Sequence, residues 1–142
     1  MEKDYCKIIP DTNDIIAQWV CEGLKTDTGW LQNYITFGVL YKTKIVAGLI
    51  FHDIHYGQDV TWTIYSRDRH WCTRRVIKTF MQIAFEDFKC RRINLLVNPD
   101  NKICLDFVTR LGFVKEGYLR RFRENGEDCY ILSLLKTENK YI

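Results

Sequence analysis

Residues 59 to 76, DVTWTIYSRDRHWCTRRV, join a β-type pattern directly to a cluster of positive charge. In the first half, Val60, Trp62 and Ile64 recur at every second position, as they do in a strand with one buried face. The second half, 67–76, carries four arginines and a histidine, and a long apolar-periodic segment follows it. Where a strand leads into a helix, the first helical N–H groups are unpaired and favour an anion. The stretch therefore predicts an anion site at a strand–helix junction.

The residues alone leave three interpretations of this cluster open. The anion could be a nucleic-acid backbone or the diphosphate of a nucleotide-like cofactor, or the arginines could only solvate the surface and pair with nearby carboxylates. A diphosphate suits the start of a helix, where arginines would add charge-assisted hydrogen bonds. The side chains placed to do so are those of Arg69, Arg74 and Arg75.

Length and composition predict a single domain over residues 1–142. Hydrophobic residues make up 46% of the chain and aromatic residues 14%, which is enough for a sizeable core. The net charge of +3, from 21 basic and 18 acidic residues, is too small to indicate nucleic-acid binding by itself. Any anion site must therefore arise from local clustering.

Cysteine usage and the first residues predict a cytoplasmic protein. The six cysteines form no CxxC pair and have no histidine at metal-ligand spacing, so we expect free thiols and no metal site. The chain opens with MEKD and lacks the apolar region of a signal peptide. It contains no apolar run of about 18 residues, and we therefore expect no membrane span.

Hydrophobic periodicity and turn residues divide the chain into helices and strands. In chain order, the predicted elements are a helix over 12–24, two strands over 37–54 that turn at 42–43, a strand over 59–66, a helix over 73–89, a strand over 92–98, a helix that ends near Gly112, and strands over 114–122 and 128–135. Between the last two strands, Asn125-Gly126 predicts a two-residue hairpin turn with positive φ at both residues.

The order of these elements predicts the sheet. Strand–helix–strand in the middle of the chain is typical of a parallel pair joined by a right-handed crossover. The hairpins on either side predict antiparallel neighbours. We therefore expect an α+β fold: a mixed, mostly antiparallel twisted sheet with a central parallel pair and helices on both faces.

This order of elements and two local motifs resemble the GNAT superfamily of acetyl-CoA-dependent acyltransferases. In that family a Q/R-x-x-G-x-G/A loop opens the longest helix; here RHWCTR, residues 69–74, stands in its place, with Cys72 and Arg74 instead of the glycines. The stretch NPDNKICLDFVTRLGFVKEGYLR, residues 98–120, is similar to the N-x-x-(S/A)…LGF-x-x-E-G-x-x-R signature of the branch related to ribosomal-protein N-acetyltransferases. Small bacteriophage-encoded GNAT proteins are similar as well, and the resemblance spans about residues 37–136.

The resemblance implies acetyl-CoA (coenzyme A) as the cofactor and suggests residues that bind it. Backbone groups at the end of the strand before the loop would polarise the thioester carbonyl, as oxyanion-type donors do in the family. The loop and the helix start would hold the diphosphate, and Asn101 takes the place of the family's cofactor-contacting asparagine. The implied cofactor-binding residues are Ile64, Ser66, Arg69, Trp71, Cys72, Thr73, Arg74, Arg75 and Asn101.

Acyl transfer to an amine needs a base for the amine and an acid for the departing thiolate. The tyrosine that is the acid in many relatives falls on Val108 here, which cannot donate a proton. We predict Glu116 and Tyr65 as catalytic residues. For Glu116 the alternative is a surface ion pair with Arg120 or Arg121.

Two further groups of residues have open roles. His52 and Asp53 could take part in acid or base chemistry, but we favour a solvent-exposed pair at the end of a strand. Trp19, Trp30 and Tyr34 flank an irregular segment and could either shape a substrate pocket or cap the core.

The predicted function is N-acyl transfer from acetyl-CoA to an amine on a small molecule, a protein or a modified base. The alternative is a non-catalytic module of the same fold that contacts nucleic acid or a protein through the basic residues 67–75, 91–92 and 120–123. The replaced glycines favour the module, and the retained asparagine and arginines favour the enzyme. We expect a monomer or a homodimer without a membrane partner, and we do not favour nucleic acid.

Overall fold

The computed structural model of the protein describes residues 5–142, which form a seven-stranded sheet with three α-helices. The strands are β1 (Cys6–Pro10), β2 (Ile35–Tyr41), β3 (Lys44–His55), β4 (Asp59–Ser66), β5 (Arg92–Val97), β6 (Val114–Leu119) and β7 (Cys129–Leu135). The helices are α1 (Ile15–Gly23), α2 (Arg74–Gln82) and α3 (Lys102–Leu111), with a π-helical turn over Ile83–Asp87 and 3₁₀ turns over Arg69–Trp71 and Lys136–Glu138.

The strand order across the sheet is β1-β2-β3-β4-β5-β7-β6. β4 and β5 are parallel, and the other neighbouring strands are antiparallel. α2 lies in the crossover between the two parallel strands. The predicted mixed sheet with a central parallel pair is therefore confirmed.

Alternation along the strands sorts the side chains onto two faces. On one face, which we call the α1 face, α1 packs over β2, β3 and β4 and buries a small cluster around Val20 and Ile50. On the other face, the main core includes Phe80 of α2 and Val108 of α3. Helices on both faces confirm the predicted layers. Among residues 5–142, the β5–β7–β6 part of the α1 face stays open to solvent, and Ile131 is only half-buried there.

Strand β1 has no counterpart in the elements predicted from the sequence. Cys6–Pro10 pairs with β2 in antiparallel register, from Cys6↔Tyr41 to Pro10↔Phe37. It has five residues, ends in proline and lies at the edge of the sheet, where a missing backbone N–H is tolerated. Because the strand is short and its partner lies far along the chain, local periodicity carries little signal for it.

The last hairpin is confirmed, but the prediction for its turn is wrong. A loop over 120–128 joins β6 to β7. In this loop Gly126 has a φ of 83°, whereas Asn125 is not left-handed. The Asp128 carboxylate accepts a hydrogen bond from the backbone N–H of Arg121 at 2.7 Å. Such side-chain bonds to the backbone compete with the strand ladder, and the two strands therefore separate before they reach the Asn-Gly pair.

The helix predicted over 73–89 is confirmed with a change of geometry near its end. α2 begins after Thr73, whose Oγ1 accepts a hydrogen bond from the N–H of Val76 at 3.2 Å. The helical path then continues through the π-helical turn to Asp87. Its apolar stripe is buried in the main core, and this packing fixes the start of α2 beside the end of β4.

Candidate active site

Strands β4 and β5 separate at their carboxyl ends. Their parallel register ends at Trp62↔Leu95, although β4 continues to Ser66 and β5 to Val97. We call the opening between these strand ends the β4–β5 fork. An extended ligand can hydrogen-bond to a strand inside a sheet only where the ladder is open, and the fork is such a place.

Two residues of β4 direct backbone hydrogen-bonding groups into the fork. On its other side β4 pairs with β3, and this ladder continues to Arg67, whose N–H donates to the carbonyl oxygen of Val46 at 2.8 Å. In an antiparallel ladder alternate residues bond to the neighbouring strand, so Tyr65 faces β3 while Ile64 and Ser66 face the fork. These two residues belong to the set predicted to bind the cofactor.

The segment after β4 forms two capped turns. Asp68 accepts a hydrogen bond from the backbone N–H of His70 at 2.8 Å, which opens the 3₁₀ turn and lowers the pKa of the Asp68 carboxyl. Thr73 then caps α2 through the N–H of Val76. The first N–H groups of an α-helix have no acceptor within the helix, and together with the helix dipole they favour an anion.

The three predicted arginines do not converge on one point. Arg75 donates a hydrogen bond to the backbone carbonyl oxygen of Cys6 and so ties the start of α2 to β1. The guanidinium carbon of Arg74 lies 5.4 Å from the ring centroid of Tyr141. Arg69 is exposed on the 3₁₀ turn. Arg69, Arg74 and Arg75 are all exposed, and Arg75 also has a contact within the fold.

Trp71 and Cys72 support the loop from inside. Trp71 is buried and packs against Phe107 of α3, with ring centroids 5.8 Å apart. Burial, with a smaller effect of Cys6, raises the pKa of the Cys72 thiol to about 12. A thiol with such a pKa is not a nucleophile near neutral pH, because thiolate is the reactive form.

Asn101 and Val108 lie at opposite ends of α3. The Oδ1 atom of Asn101 caps the helix by accepting a hydrogen bond from the N–H of Cys104 at 3.2 Å. Gly112, with a φ of 108°, ends it. Val108 is buried in the main core. The helix therefore offers no acid at the position where the family's tyrosine is expected, while the exposed Asn101 keeps its amide nitrogen near the surface.

A buried donor without a partner belongs to Trp62, whose backbone lies at the base of the fork and whose side chain packs in the main core. The indole N–H of Trp62 is one of three buried polar side-chain groups in residues 5–142 that lack a hydrogen-bond partner. Trp62 is also the last residue of β4 that pairs with β5. Leaving such a donor unpaired costs about 1–3 kcal/mol, and a ligand carbonyl oxygen would remove that cost. The open backbone groups of the fork fit a ligand that contains amides or a thioester.

A groove of about 520 Å³ crosses the open part of the α1 face. Its polar side is a hydrogen-bonded chain: Asn94 donates to Asp59 at 2.7 Å, and Arg92 donates to Asn94 at 2.7 Å and to Glu116. Its volume is within the range typical of small-molecule sites. The residues that line the groove are Asp59, Thr61, Arg92, Asn94, Leu96, Leu119, Phe122 and Ile131.

Glu116 lies at a β-bulge of β6 and forms an ion pair with Arg92 of β5. The alternative of a surface ion pair is thus present, but the predicted partners, Arg120 and Arg121, are wrong. Hydrogen bonds from Arg92 and, more weakly, from Ser133 lower the pKa of the Glu116 carboxyl. A lowered pKa makes a carboxylate a weaker base.

Tyr65 lies on the α1 face beside the fork. Its ring packs edge-to-face on Trp19 with centroids 5.3 Å apart, and its hydroxyl accepts a hydrogen bond from Arg67 at 3.4 Å. The Arg67 guanidinium also lies over both rings, at 5.4 and 5.9 Å from their centroids. The Tyr65 hydroxyl, predicted to be catalytic, therefore lies beside a cation.

The prediction of a solvent-exposed His52–Asp53 pair is wrong for the histidine. His52 is only 5% exposed, because Trp30 packs against it with ring centroids 5.0 Å apart. Its Nδ1 lies 2.8 Å from an Asp53 carboxylate oxygen, and its Nε2 lies 2.8 Å from the Thr63 hydroxyl. Burial lowers the pKa of His52, although Asp53 opposes this effect. The alternation of β4 predicts that Thr63 lies on the same face as Tyr65, but no local sequence pattern indicates that Thr63 contacts β3.

The Tyr34 hydroxyl donates a hydrogen bond to the Asp14 carboxylate at 2.9 Å.

Within residues 5–142, two kinds of feature are absent. No helix is long and apolar enough to cross a membrane. No group of three or more histidine, cysteine, aspartate or glutamate side chains is placed to hold a metal ion. All six cysteines are free thiols.

Solved N-acetyltransferases share this architecture. A variant of the spermidine N-acetyltransferase of Vibrio cholerae superposes with a TM-score of 0.76 at 13% identity, covering 99% of this chain and 98% of that chain. The Vibrio cholerae enzyme in complex with CoA and spermine gives 0.74 at 13% identity, covering 96% and 98%. Its dodecameric structure in an intermediate state gives 0.75 at 15%, covering 95% and 96%. These structural matches show that the chain has the GNAT fold, which confirms the predicted fold class. No family model and no curated protein matches the chain.

Proposed function

We propose that the protein is an N-acyltransferase that moves an acetyl group from acetyl-CoA to an amine. The observation that carries this proposal is the β4–β5 fork, in which Ile64 and Ser66 direct backbone groups into the gap beyond the last β4–β5 pair, Trp62↔Leu95. The fold shared with N-acetyltransferases, one of them in complex with CoA, supports it.

The fork and the loop divide the binding of acetyl-CoA between them. Acetyl-CoA supplies the acetyl group already activated as a thioester. Backbone N–H groups of Ile64 and Ser66 would hold the thioester and pantetheine carbonyl oxygens and polarise the reacting one. The start of α2, with Arg69 and Arg74, would hold the diphosphate. Asn101 would contact the pantetheine arm through its amide.

The other loop residues predicted for the cofactor would act by fixing the path of the loop. Without glycines the backbone cannot approach a diphosphate as closely, so exposed arginine side chains take a larger share of the contact. The residues that hold the loop in place are Trp71, Cys72, Thr73 and Arg75.

The acceptor is an amine that binds on the α1 face. The groove there is lined by the Asp59 carboxylate and by an apolar side that includes Phe122, and Glu116 is joined to it through Arg92. Carboxylates attract an ammonium group, and the apolar side suits a hydrocarbon chain. The spermidine N-acetyltransferases of the same fold make polyamines the first acceptors to test. The resemblance to the ribosomal-protein branch adds protein amines, and modified bases complete the panel.

Tyr65 is the proposed acid for the departing thiolate, because it lies beside the fork and its hydroxyl is next to the Arg67 cation. Glu116, the base predicted from the sequence, is one candidate for that role. Its ion pair with Arg92 means that it would have to exchange that partner for the substrate's ammonium group before it could accept a proton.

Two measurements test the proposed function together. Calorimetry with acetyl-CoA measures binding, and a thiol-release assay measures turnover on spermidine, a peptide with a free N-terminal amine and an aminated nucleoside. A ligand that binds only the folded state at about 100 times its Kd stabilises it by about 2.7 kcal/mol, which a thermal shift detects. Absence of both binding and thermal shift would reject acetyl-CoA as the donor.

A non-catalytic binding module is the second candidate. Two observations favour it: the loop lacks glycines, and Arg75 binds a backbone carbonyl of β1 instead of facing a ligand. Such a module would bind nucleic acid or a protein through residues 67–75, 91–92 and 120–123 and would not respond to acetyl-CoA. Binding of nucleic acid or a protein through these residues, with no response to acetyl-CoA, would favour it.

The cysteines bear on the cellular compartment of the protein. Six free thiols suit a reducing compartment, and we place the protein in the cytoplasm. We propose that residues 1–142 act as a single domain and that the protein is a monomer or a homodimer.

A further inference from the structure

We infer that Asp53, His52 and Thr63 form a proton relay that takes the proton from the acceptor amine at the mouth of the fork. The inference rests on the proposed N-acyltransferase function and assigns to it a route for the amine proton. Neither the buried histidine nor the threonine belongs to the residues predicted as catalytic.

The three side chains form a continuous hydrogen-bonded chain. Asp53 Oδ2 lies 2.8 Å from His52 Nδ1, and Thr63 Oγ1 lies 2.8 Å from His52 Nε2. Both distances are those of good hydrogen bonds. A carboxylate, an imidazole and a hydroxyl in this order form the arrangement by which a base activates a hydroxyl group.

Thr63 brings the end of this chain to the fork. It directly follows Trp62, the last residue of β4 that pairs with β5. By alternation its side chain lies on the α1 face with Thr61 and Tyr65, the face that carries the groove. Its hydroxyl is therefore next to the backbone of Ile64, where the acetyl group would bind.

The hydrogen-bond chemistry fixes the direction of the chain. A carboxylate only accepts hydrogen bonds, so Nδ1 of His52 must carry the hydrogen that is shared with Asp53. In neutral His52 the other nitrogen, Nε2, is then an acceptor, and the Thr63 hydroxyl must donate to it. The Thr63 oxygen can then accept a hydrogen bond from an amine that approaches on the α1 face, next to the groove residue Thr61.

The surroundings keep His52 in its neutral form, in which Nε2 is an acceptor. It is 5% exposed, with the uncharged Trp30 against it from the segment before β2 and Thr63 against it from β4. Of the titratable groups in residues 5–142, Asp53 on β3 is the one that acts on the imidazole, and burial outweighs it and lowers the pKa of His52. Asp53 itself is 52% exposed and connects the relay to solvent.

A neutral amine loses one proton overall when it is acetylated. As the amine nitrogen bonds to the acetyl carbon, it loses one proton to Thr63 Oγ1, and the Thr63 hydroxyl proton moves to His52 Nε2. His52 becomes an imidazolium held by Asp53 and later releases the proton to solvent. The thioester C–S bond breaks, and the thiolate takes one proton from Tyr65, which regains it from solvent. The products are the N-acetyl amine and CoA thiol.

Four variants of the full chain test the relay. Thr63→Val removes the hydroxyl at nearly constant shape, Thr63→Ser restores it, and His52→Asn removes the imidazole. His55→Asn is the matched control, because it removes an exposed histidine that pairs with a carboxylate, Asp59, at the same distance of 2.8 Å. Melting curves confirm folding, and calorimetry with acetyl-CoA confirms that the fork is intact.

The first readout needs no acceptor. Imidazole ¹⁵N–¹H NMR of the parent near neutral pH is expected to show the Nδ1–H tautomer for His52. An Nε2–H tautomer, or a charged ring, would overturn the relay, because His52 could not then accept a proton from Thr63.

The second readout is the pH profile of kcat/KM with acetyl-CoA and spermidine, or the acceptor that the amine panel identifies. We expect Thr63→Val and His52→Asn to lower kcat/KM by roughly 10²–10⁴-fold, and Thr63→Ser to restore it to within about tenfold. As pH falls below the pKa of His52, the kcat/KM of the parent should fall about tenfold more per pH unit than the kcat/KM of Thr63→Val does. A purely structural role for His52 leaves the two slopes equal.

The outcomes separate the relay from the function on which it rests. Failure of the parent to bind acetyl-CoA overturns the proposed function and the relay with it. Turnover by Thr63→Val at the parental rate and with the parental pH slope overturns the relay alone.

Discussion

Trp62 on β4 and Leu95 on β5 are the last residues that pair in the central parallel ladder, and the two strands diverge beyond them. This single relationship creates the fork, because a parallel ladder that continued to Ser66 would satisfy the backbone groups of β4. Trp62 has a large side chain packed between Phe51 and Phe113, with ring centroids 5.7 and 6.0 Å away. The core therefore anchors the base of the opening.

Arg74→Ala is expected to weaken acetyl-CoA binding by about 1–3 kcal/mol, since it removes a charge-assisted hydrogen bond to the diphosphate. Isothermal calorimetry measures the change. Arg110→Ala removes an exposed cation at the far end of α3 and is the control for net charge. Equal affinities for the two variants would mean that Arg74 only packs on Tyr141.

Tyr65→Phe is expected to reduce kcat by roughly 10²-fold or more while acetyl-CoA affinity stays the same, because it removes the proposed proton donor to the thiolate. Single-turnover kinetics with the best acceptor measure this step. Tyr56→Phe, at an exposed turn residue, should behave like the parent. A fully active Tyr65→Phe protein would assign the thiolate proton to solvent.

Glu116→Gln is expected to change kcat by less than about tenfold, because Arg92 holds this carboxylate and lowers its pKa. The thiol-release assay that measures the relay variants also measures this one. A fall of about 10²–10⁴-fold would make Glu116 the base and would count against the relay through Thr63.

Stability near neutral pH should depend on His52. Its folded pKa is lowered below the ordinary value of about 6.5, so the unfolded chain binds a proton at pH values where the folded chain does not. The stabilisation is therefore complete above about pH 6.5 and is lost as pH falls toward the folded pKa, by at most about 1.4 kcal/mol per pH unit.

Urea denaturation of the parent between about pH 5 and pH 8 tests this expectation. His52→Asn should remove most of the pH dependence of the free energy of unfolding in that window, whereas His55→Asn should retain it. A parent that becomes more stable on acidification would mean that His52 is charged in the folded protein.

Gly126→Val should destabilise the protein by about 1–2 kcal/mol, because a β-branched residue resists the left-handed φ of 83° found there. Gly126→Asn is the control, since asparagine tolerates this region better. Chemical denaturation of both variants gives the difference. Equal stabilities would show that the loop over 120–128 adopts another conformation.

Local patterns were sufficient for the elements that create the fork. The alternation in 59–66, the amphipathic stripe after Thr73 and the apolar strand at 92–97 each carry their own signal, and chain order then requires the parallel pair. β1 was not predicted, because a five-residue edge strand with a terminal proline has almost no periodicity.

The candidate site was harder to predict, because its decisive contacts join distant segments. Nothing near His52 in the sequence indicates that Trp30 buries it or that Thr63 meets its Nε2. Likewise, Arg75 lies in the predicted anion loop, yet a carbonyl of β1 binds it. Charge clustering predicts an anion loop, but it does not predict which way each arginine side chain points.

The most direct test of acetyl-CoA binding in the fork is an NMR titration of the ¹⁵N-labelled protein with acetyl-CoA. We expect saturable shifts that are largest for the backbone amides of Ile64 and Ser66 and the indole N–H of Trp62, with smaller shifts at the start of α2. Shifts confined to residues 120–123, or no saturable shifts at all, would contradict it.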